Sequence, residues 1–332
     1  MLQSAANDDA GSKPDGGSET SLPDAIVCRP QADGKVLLAT GLKSPSFVGA
    51  PPGPNDPVVV RDDQHYRFID PQTCEERGTL SLSERASPPL ALGDWAAFRD
   101  RDVWLVNLVT REEIRAMPRG TPVAIHADSQ WLYLLSAVLD EMWEIGTNET
   151  VAELFIERVP RTDLARARTP ESLQSLDLEG MEMWNHVWVI GSASQMIVTF
   201  GYLQLDVNGP FTAFQLHLDS LKTRYLFGGE YRKAVALEDA VLFQWTNQLW
   251  FDSETEFRLL RQDLDHLTLR GAVPGHAIAF DGWFERPLLA LPLDGSAPRE
   301  LSKDVPTGDA VSAARGRVYW STSAGELWMM TP

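Results

Sequence analysis

The hydrophobic positions of this chain fall in short runs separated by polar turns. Several units share one layout, in which a run of small apolar residues is followed by a turn and then by a bulkier run with an aromatic residue. Residues 123–126 and 131–133 form one such unit, and residues 234–236 and 241–243 form another. Runs this short, bounded by turn residues, are typical of strands. The pattern therefore predicts many short strands joined by tight turns.

A second pattern, a strand followed by a polar turn and another strand, recurs along the chain. Asp, Asn, Gly and Thr occupy the turns, which suits hairpin geometry. The copies span residues 31–42, 70–82, 107–117, 144–156, 217–227, 263–273 and 292–301. Most lie about 40 residues apart, the length that four short strands need to build one blade of a β-propeller. We therefore expect seven blades.

The spacing is irregular once, between residues 156 and 217. Thr169 and Pro170 suit the cap and the first turn of a short helix there. Residues 196–218 alternate as two long strands around a turn at residues 208–210. We interpret the stretch as a decoration of the fourth blade with a protruding hairpin. A complete extra blade, which would give eight, is the alternative.

The two ends of the chain complement each other. Residues 25–42 have the pattern of the outer half of a blade, and residues 308–330 have that of an inner half. Pairing them would close the ring and protect strand edges that would otherwise be exposed. The sequence thus predicts an all-β fold, a seven-bladed β-propeller over residues 24–332, with the N- and C-terminal strands closing one blade.

The chain contains two cysteines, Cys28 and Cys74. An even pair fits one disulfide in an exported protein, and two free buried thiols are the alternative. Ring closure would put Cys28 on the closing blade and Cys74 on the next blade round. This placement favours the disulfide.

With these features the chain resembles bacterial extracytoplasmic β-propellers of the TolB-like and lactonase-like kind. The resemblance covers residues 24–332 and depends on the blade period, the terminal closure and turns such as Asp70-Pro71-Gln72-Thr73. It implies a fold and no particular activity. The paired Gly-His and Trp-Asp signatures of the WD-repeat class are missing from the sequence.

Composition narrows the cellular setting and the partners. Residues 1–23 contain no aromatic residue, Val or Ile, so we expect a disordered acidic Gly/Ser/Pro tail. This tail resembles the tether of bacterial surface lipoproteins, which would imply a lipid tether upstream and a location in the periplasm or at the cell surface. A flexible tail on a cytoplasmic protein is the alternative. The formal charge of −18 argues against a nucleic-acid partner, and no apolar run reaches the ~20 residues of a membrane helix.

Local motifs of the common enzyme classes are missing: the sequence has no phosphate-binding loop, no nucleophile elbow and no zinc-protease motif. Propeller enzymes assemble their sites from separate blades, so single residues have to be considered. By the repeat alignment His126 and His276 lie on innermost strands, and His186 precedes a second strand. Three imidazoles that converge on the channel could hold a divalent metal. Structural or surface histidines are the alternative.

Two carboxylates, Asp94 and Asp309, follow a glycine at equivalent positions before innermost strands in the repeat alignment. With Glu179 they would form an acidic ring at the channel mouth, and as a pair they could act as general acid and base. The alternative is that each carboxylate accepts hydrogen bonds from local backbone amides.

Basic and aromatic residues mark two blade entrances, one at Arg119 and the other at Tyr231, Arg232 and Lys233. Cations beside exposed aromatic rings suit an anionic or peptide ligand. Trp184 is a further candidate, for stacking on a sugar. Rim residues that only cover the core are the alternative.

These residues favour a non-enzymatic binding or scaffold propeller whose rim loops face a protein, a peptide or a glycan, without a cofactor. The competing hypothesis is a propeller hydrolase or lyase with a channel metal held by the three histidines. A structural lipoprotein of the envelope, without a small ligand, is a third. The sequence leaves open whether any catalysis occurs.

Overall fold

The computed structural model of the protein describes residues 28–140, 149–183, 187–191, 195–200, 211–218, 221–228, 231–237, 240–253, 255–281 and 287–332. Apart from two short 3₁₀ turns, Leu164–Arg168 and Gly308–Ala310, the regular elements in these ranges are strands. The all-β prediction is therefore confirmed. Within the same ranges, no helix has the length and apolar character needed to cross a membrane.

After an initial hairpin the strands follow one another in groups of four. The hairpin consists of β1 (Arg29–Pro30) and β2 (Lys35–Ala39). The next three groups are β3 (Val48–Gly49), β4 (Val58–Asp62), β5 (His65–Ile69) and β6 (Glu76–Ser81); β7 (Leu90–Leu92), β8 (Trp95–Asp100), β9 (Asp102–Asn107) and β10 (Glu113–Arg115); and β11 (Thr121–Ala127), β12 (Trp131–Asp140), β13 (Glu149–Pro160) and β14 (Glu171–Met183).

The second half of the chain repeats this arrangement. Its groups are β15 (Val187–Gly191), β16 (Gln195–Phe200), β17 (Phe211–His217) and β18 (Thr223–Gly228); β19 (Tyr231–Leu237), β20 (Ala240–Trp245), β21 (Gln248–Asp252) and β22 (Phe257–Arg261); and β23 (Leu267–Val273), β24 (His276–Asp281), β25 (Leu288–Pro292) and β26 (Arg299–Ser302). The chain ends with β27 (Val311–Ala314), β28 (Arg317–Ser321) and β29 (Leu327–Met330).

Each group of four strands pairs antiparallel in chain order and forms its own sheet. The first strands of successive sheets are in contact, in the order β7, β11, β15, β19, β23 and β27, and β27 contacts β3. The blade that begins with β3 meets β7 through β4, which completes the circle. The result is a ring of sheets around a central channel, the architecture of a β-propeller.

The two ends of the chain close this ring, as the terminal patterns predict. The closing sheet has the strand order β1-β2-β29-β28-β27. β2 pairs antiparallel with β29, which sets Lys35 opposite Met330 and Leu37 opposite Trp328. The N-terminal hairpin is therefore the outer part of the sheet, and the three C-terminal strands are its inner part.

The prediction of a seven-bladed propeller is corrected by this topology. Among the described residues, six blades have four strands from one continuous segment each, and the remaining sheet has five strands drawn from both ends of the chain. The fifth strand is present because both strands of the N-terminal hairpin lie outside β29. An additional complete blade, the alternative to a decoration, is not found in the described part of the chain.

The blade of β11–β14 has long strands. Its last three strands extend to 10, 12 and 13 residues. In the next blade β16 and β17 pair over 6 and 7 residues, and the tip of the protruding hairpin predicted there lies outside the described residues. The predicted helix at Thr169 and Pro170 is wrong, because β14 begins there and sets Glu171 opposite Arg158 of β13. Strand pairing outweighs the local helix signal. The predicted turn at residues 208–210 lies outside the described residues.

Two copies of the repeated pattern have different positions in the fold from those expected. In the copy at residues 144–156 the described part, from residue 149 on, belongs to β13, one strand earlier than in the neighbouring blades, and residues 263–273 hold the crossover from β22 to β23. A hairpin within a blade and a crossover between blades both read as strand, polar turn and strand. The local pattern alone therefore does not distinguish them.

The closing sheet packs against a neighbour on each side. Tyr319 packs with Val58 of the blade that follows, and Trp320 packs with Ile278 of the blade that precedes. Both aromatic side chains are almost completely buried. Adjacent residues of a strand point to opposite faces of the sheet, so one dipeptide fills the core on both sides.

A buried carboxylate links three blades at the back face, which we define as the face with the turns that follow the first strands. Asp56, between β3 and β4, is 1% exposed and forms an ion pair with Arg161, which follows β13. Asp56 also accepts a hydrogen bond from the Gly93 N–H at 2.7 Å, and Arg161 donates to the Asp128 carbonyl oxygen at 2.7 Å. The pair thus ties together the blades that begin with β3, β7 and β11.

The expected disulfide is present between Cys28 and Cys74, whose Cα atoms are 5.4 Å apart. Cys28 directly precedes β1 in the closing sheet, and Cys74 lies in the turn from β5 to β6. The bond therefore joins the outermost strand of the closing sheet to the next blade.

Replacing Asp56 by alanine (Asp56→Ala) should lower the free energy of unfolding by about 3–5 kcal/mol, because Arg161 would keep its charge in a buried place without a counterion. Urea denaturation followed by tryptophan fluorescence measures the loss. Asp304 is exposed, and Asp304→Ala is the matched control, with an expected loss below about 0.5 kcal/mol. Equal small losses in both variants would contradict the role of the ion pair.

Replacing both cysteines by alanine should lower the free energy of unfolding by about 4 kcal/mol, because the bond restricts the unfolded chain over a sequence separation of 46 residues. Alkylation of the native protein without reductant, read by mass spectrometry, should add no label. Two labelled thiols would show that the bond does not form.

Candidate functional site

The first strands of the blades all begin at one face of the ring, because they run in the same direction around the channel. We call this the front face and define it by the loops that lead into β11, β19, β23 and β27. The inner edge of each first strand has no pairing partner within its own sheet. Side chains at the starts of these strands therefore surround the mouth of the channel.

Three of the first strands carry a β-bulge close to the front face. The register shifts between Pro122 and Ala124 in β11, between Tyr231 and Lys233 in β19, and between Leu269 and Gly271 in β23. A bulge adds one residue to an edge strand, bends it and re-aims a side chain. In β23 the added residue is Arg270. The bulge in β23 therefore places a charged residue near the channel mouth.

Three charged residues from successive sheets come together at this mouth. Lys233 lies on β19, Arg270 lies on β23, and Asp309 lies in the 3₁₀ turn that leads into β27. The charges of Arg270 and Asp309 both act on Lys233, and the charge of Asp309 also acts on Arg270. We call these three residues the channel cluster.

Arg270 is held in place by its neighbours. Its guanidinium carbon lies 5.6 Å from the centre of the Phe280 ring, which is within cation–π range. A Cβ atom on Gly308 would collide with the guanidinium, so Arg270 occupies space that glycine leaves free. The buried Nε atom of Arg270 has no hydrogen-bond partner among the described residues. One N–H group is therefore positioned and unused.

Lys233 has a strongly perturbed pKa. Burial, followed by the positive charge of Arg270, lowers the pKa of the Lys233 ammonium to about 8, and Asp309 acts in the opposite direction. Burial also lowers the pKa of Arg270, whose guanidinium nevertheless stays protonated in proteins. Lys233 is thus the member of the channel cluster whose charge changes near neutral pH.

The channel cluster has more positive than negative charge. In the described part of the chain neither Lys233 nor Arg270 forms an ion pair, and Asp309 is the carboxylate whose charge acts on both. Two cations with one carboxylate, partly withdrawn from water, attract an anionic group. The site can therefore bind a negatively charged ligand group.

The other predicted ligand-binding residues have separate positions. Arg119 lies in the front-face loop before β11, where its backbone N–H donates to Glu157 Oε2 at 3.0 Å and its guanidinium lies 5.6 Å from the centre of the Phe155 ring. Tyr231 and Arg232 lie on β19 beside Lys233, but their side chains are outside the described part of the structure, as is Trp184. Lys233 is therefore the predicted residue that the structure places in a cluster.

The structure does not bring the predicted metal ligands together. His126 lies on the first strand β11, as expected, but His276 begins the second strand β24 of a distant blade. His186 lies outside the described residues. Among the residues that are described, no group of three histidine, cysteine or carboxylate side chains could hold a metal ion. His276 was misplaced because the repeat alignment treated the β22–β23 crossover as a hairpin.

The predicted acidic ring is not formed either. Asp94 lies in the turn after the first strand β7, on the back face, whereas Asp309 precedes the first strand β27 on the front face. Asp94 is exposed and lies 3.7 Å from Arg77, and Glu179 belongs to the outermost strand β14. The repeated Gly-Asp pair thus marks two different turns, so the carboxylates are not equivalent.

Sequence reasoning missed Arg270 and Gly308. Arg270 fell within a pattern copy assigned to an outer hairpin, which removed it from the channel. The available signal was its spacing, because Lys233, Arg270 and Asp309 follow one another at intervals of about one blade (~40 residues).

No protein-family model matches the chain, and no curated protein matches it. Several solved structures do match. U3-55K has a TM-score of 0.52 at 9% identity, with 92% of this chain and 100% of that chain covered. The RRP9 WD40 repeats have a TM-score of 0.52 at 8% identity, with 91% and 98% covered.

Peptidase propellers match as well. The acylaminoacyl peptidase of Pyrococcus horikoshii has a TM-score of 0.50 at 12% identity over 85% of this chain, which spans about half the length of that enzyme (50%). The β-propeller domain of the trilobed protease from Pyrococcus furiosus has a TM-score of 0.50 at 12% identity, with 86% and 96% covered. That domain is described as having an open velcro topology, whereas the pairing of β2 with β29 closes this ring.

The fold is a β-propeller. At these identities the likeness shows the fold alone and transfers no activity. The finer TolB-like or lactonase-like identity stays a prediction.

His126 provides a test of the electrostatics on the back-face side. It stacks on Tyr133 with ring centres 6.0 Å apart, and burial lowers the pKa of His126 to about 4, with Asp128 acting in the opposite direction. An unfolded histidine has a pKa of about 6.5, so between these values the unfolded chain binds a proton that the folded chain does not. Stability should therefore fall as the pH drops from about 6.5 to 4.

Replacing His126 by phenylalanine should remove this part of the pH dependence, because the unfolded variant has no imidazole to protonate. Urea denaturation at pH 7 and pH 4.5 gives the change in the free energy of unfolding between the two pH values, and this change is compared between the variant and the wild type. The exposed His65, replaced in the same way, is the control and should keep the wild-type pH dependence. An unchanged pH dependence in His126→Phe would contradict the burial of a neutral imidazole.

Proposed function

We propose that this propeller is a non-enzymatic binding module that takes a protein or peptide ligand on its front face, with an acidic group of the ligand at the channel cluster. The observation that carries the proposal is the pair of cations, Lys233 and Arg270, which form no ion pair among the described residues. Two partly buried positive charges beside a single carboxylate leave one charge uncompensated, which is unfavourable. A ligand carboxylate would supply the missing charge.

A second part of the front face, the loop before β11, supports a peptide rather than a compact ion alone. Met117, in the loop before β11, is 64% exposed and close in sequence to Arg119, which is also exposed. Exposed Met and Arg residues are enriched at protein interfaces. The front face therefore offers apolar contact area beside its positive charge.

The charge of the whole chain narrows the ligand further. A formal charge of −18 repels polyanions at long range, so a nucleic acid is an unfavourable partner. A ligand with a single acidic group pays little of this repulsion and gains the local attraction of the channel cluster. We therefore favour a mostly neutral peptide with one carboxylate at the contact.

The competing hypothesis of a metal-dependent hydrolase or lyase has no supporting observation among the described residues, since His126 and His276 lie on different blades. We also propose an extracytoplasmic location. The disulfide between Cys28 and Cys74 supports it, because such bonds persist in oxidising compartments.

A peptide array can test the proposal. Heptapeptides of varied sequence are printed in pairs that differ by a single Glu or Gln, and the full-length protein is applied. We expect a subset to bind with a preference for Glu, and Arg270→Met should remove that preference because the neutral side chain no longer attracts a carboxylate. Lys303→Ala is the control, since Lys303 lies on the outer rim with a side chain that is 80% exposed.

Other results of the same experiment would overturn the proposed site or change the ligand class. A Glu preference that survives in Arg270→Met, or that is lost in Lys303→Ala, would overturn the proposed site. Binding of an acidic oligosaccharide such as oligogalacturonate, with no peptide bound, would replace the peptide by a glycan as the ligand class.

A further inference from the structure

We propose that Lys233 and Arg270 act together as a receptor for one carboxylate group of the ligand. Arg270 donates N–H hydrogen bonds to this carboxylate, Lys233 supplies a second positive charge, and Asp309 competes with the ligand carboxylate for both cations. The inference rests on the proposed function and names the chemistry of the ligand group. The proposed receptor lies inside the channel mouth, so its binding of a carboxylate can be tested separately from the contacts that a ligand makes with the outer loops.

The position of Arg270 suits the recognition of a carboxylate. Phe280 lies within cation–π distance of the guanidinium, and the missing Cβ of Gly308 leaves room for it. A fixed planar guanidinium presents its N–H groups in a fork that matches the two carboxylate oxygens. The unused Nε–H of Arg270 is one arm of such a fork.

The charge balance favours a singly charged anion. Lys233 and Arg270 carry two positive charges when protonated, and Asp309 compensates one of them. One carboxylate makes the cluster neutral, whereas a doubly charged phosphate would add a repulsion with Asp309. The cluster therefore prefers a carboxylate to inorganic phosphate.

The binding should depend on pH through Lys233. The charged residues that act on it are Arg270 from β23 and Asp309 from the turn before β27, and the adjoining strands β15 and β20 contain no titratable residue. Lys233 loses its charge above a pKa of about 8. A bound anion favours the charged form, so the cluster takes up a proton as the ligand binds at pH 8 to 9.

Acetate, which carries one carboxylate and one charge, is a suitable probe, titrated into the full-length protein and followed by calorimetry or NMR at pH 7 and pH 9. The charged fraction of Lys233 falls about tenfold between these values, so the affinity should fall about tenfold as well. Lys233→Arg should bind acetate at both pH values with the dependence removed, because a guanidinium keeps its charge. Lys303→Ala should match the wild type.

Two further variants separate the roles of the neighbours. Gly308→Ala should weaken binding at both pH values and keep the tenfold dependence, since the added methyl group displaces Arg270 and leaves Lys233. Asp309→Asn should tighten binding, because a competing carboxylate is gone. Its pH dependence should shift to lower pH, because Asp309 raises the pKa of Lys233.

The inference is overturned if acetate does not bind, if phosphate binds more tightly than acetate, or if Lys233→Arg keeps the pH dependence. The failure of the proposed function is a different result. A Glu preference on the peptide array without acetate binding would leave the binding module in place and remove the carboxylate receptor. Acetate binding without any peptide bound would support a free organic acid as the source of the carboxylate.

Discussion

The pairing of β2 with β29 is the constraint on which the rest of this molecule depends. The first strands are in contact around the channel, and in this chain the two ends share one sheet of the ring. Closure protects the edges of β2 and β29, which would otherwise template further pairing. It also brings Cys28 to the blade of Cys74, and it completes the sheet of β27, which lies beside β23 with Gly308 and Asp309 before it. The disulfide therefore depends on this pairing, and the pairing completes the sheet on one side of the channel cluster.

The two faces of the ring use charge in opposite ways. On the back face, the Asp56 carboxylate and the Arg161 guanidinium are buried together, and backbone groups such as the Gly93 N–H complete their hydrogen bonding. Such a satisfied pair holds neighbouring blades in register. On the front face, Lys233 and Arg270 have no described ion-pair partner. The first arrangement contributes to a fixed structure, and the second is the one on which the proposed ligand binding rests.

The repeat period and the turn residues indicate a ring of blades, and the complementary patterns of the two chain ends indicate its closure. Both features could therefore be predicted from the sequence. The assignment of individual elements could not. Residues 263–273 show strand, turn and strand whether they form a hairpin or a crossover, because the local chemistry is the same. Thr169 and Pro170 are good helix-start residues, yet the pairing of Glu171 with Arg158 decides for a strand. Long-range pairing is energetically decisive there and leaves no local mark.

Only part of the candidate site could be predicted from the sequence, for a related reason. Lys233 stands out as a basic residue at a blade entrance, whereas Arg270 is hidden by the wrong assignment of its strand, and Asp309 was grouped with Asp94 on the strength of a shared Gly-Asp pair. What unites Lys233, Arg270 and Asp309 is their common position at the start of successive first strands, about one blade apart. In a closed ring, residues at that interval on neighbouring blades come together at the channel although they lie about 40 residues apart in the chain. Charge at the repeat interval, rather than charge clustered within one segment, is therefore the sequence signal that corresponds to the channel cluster.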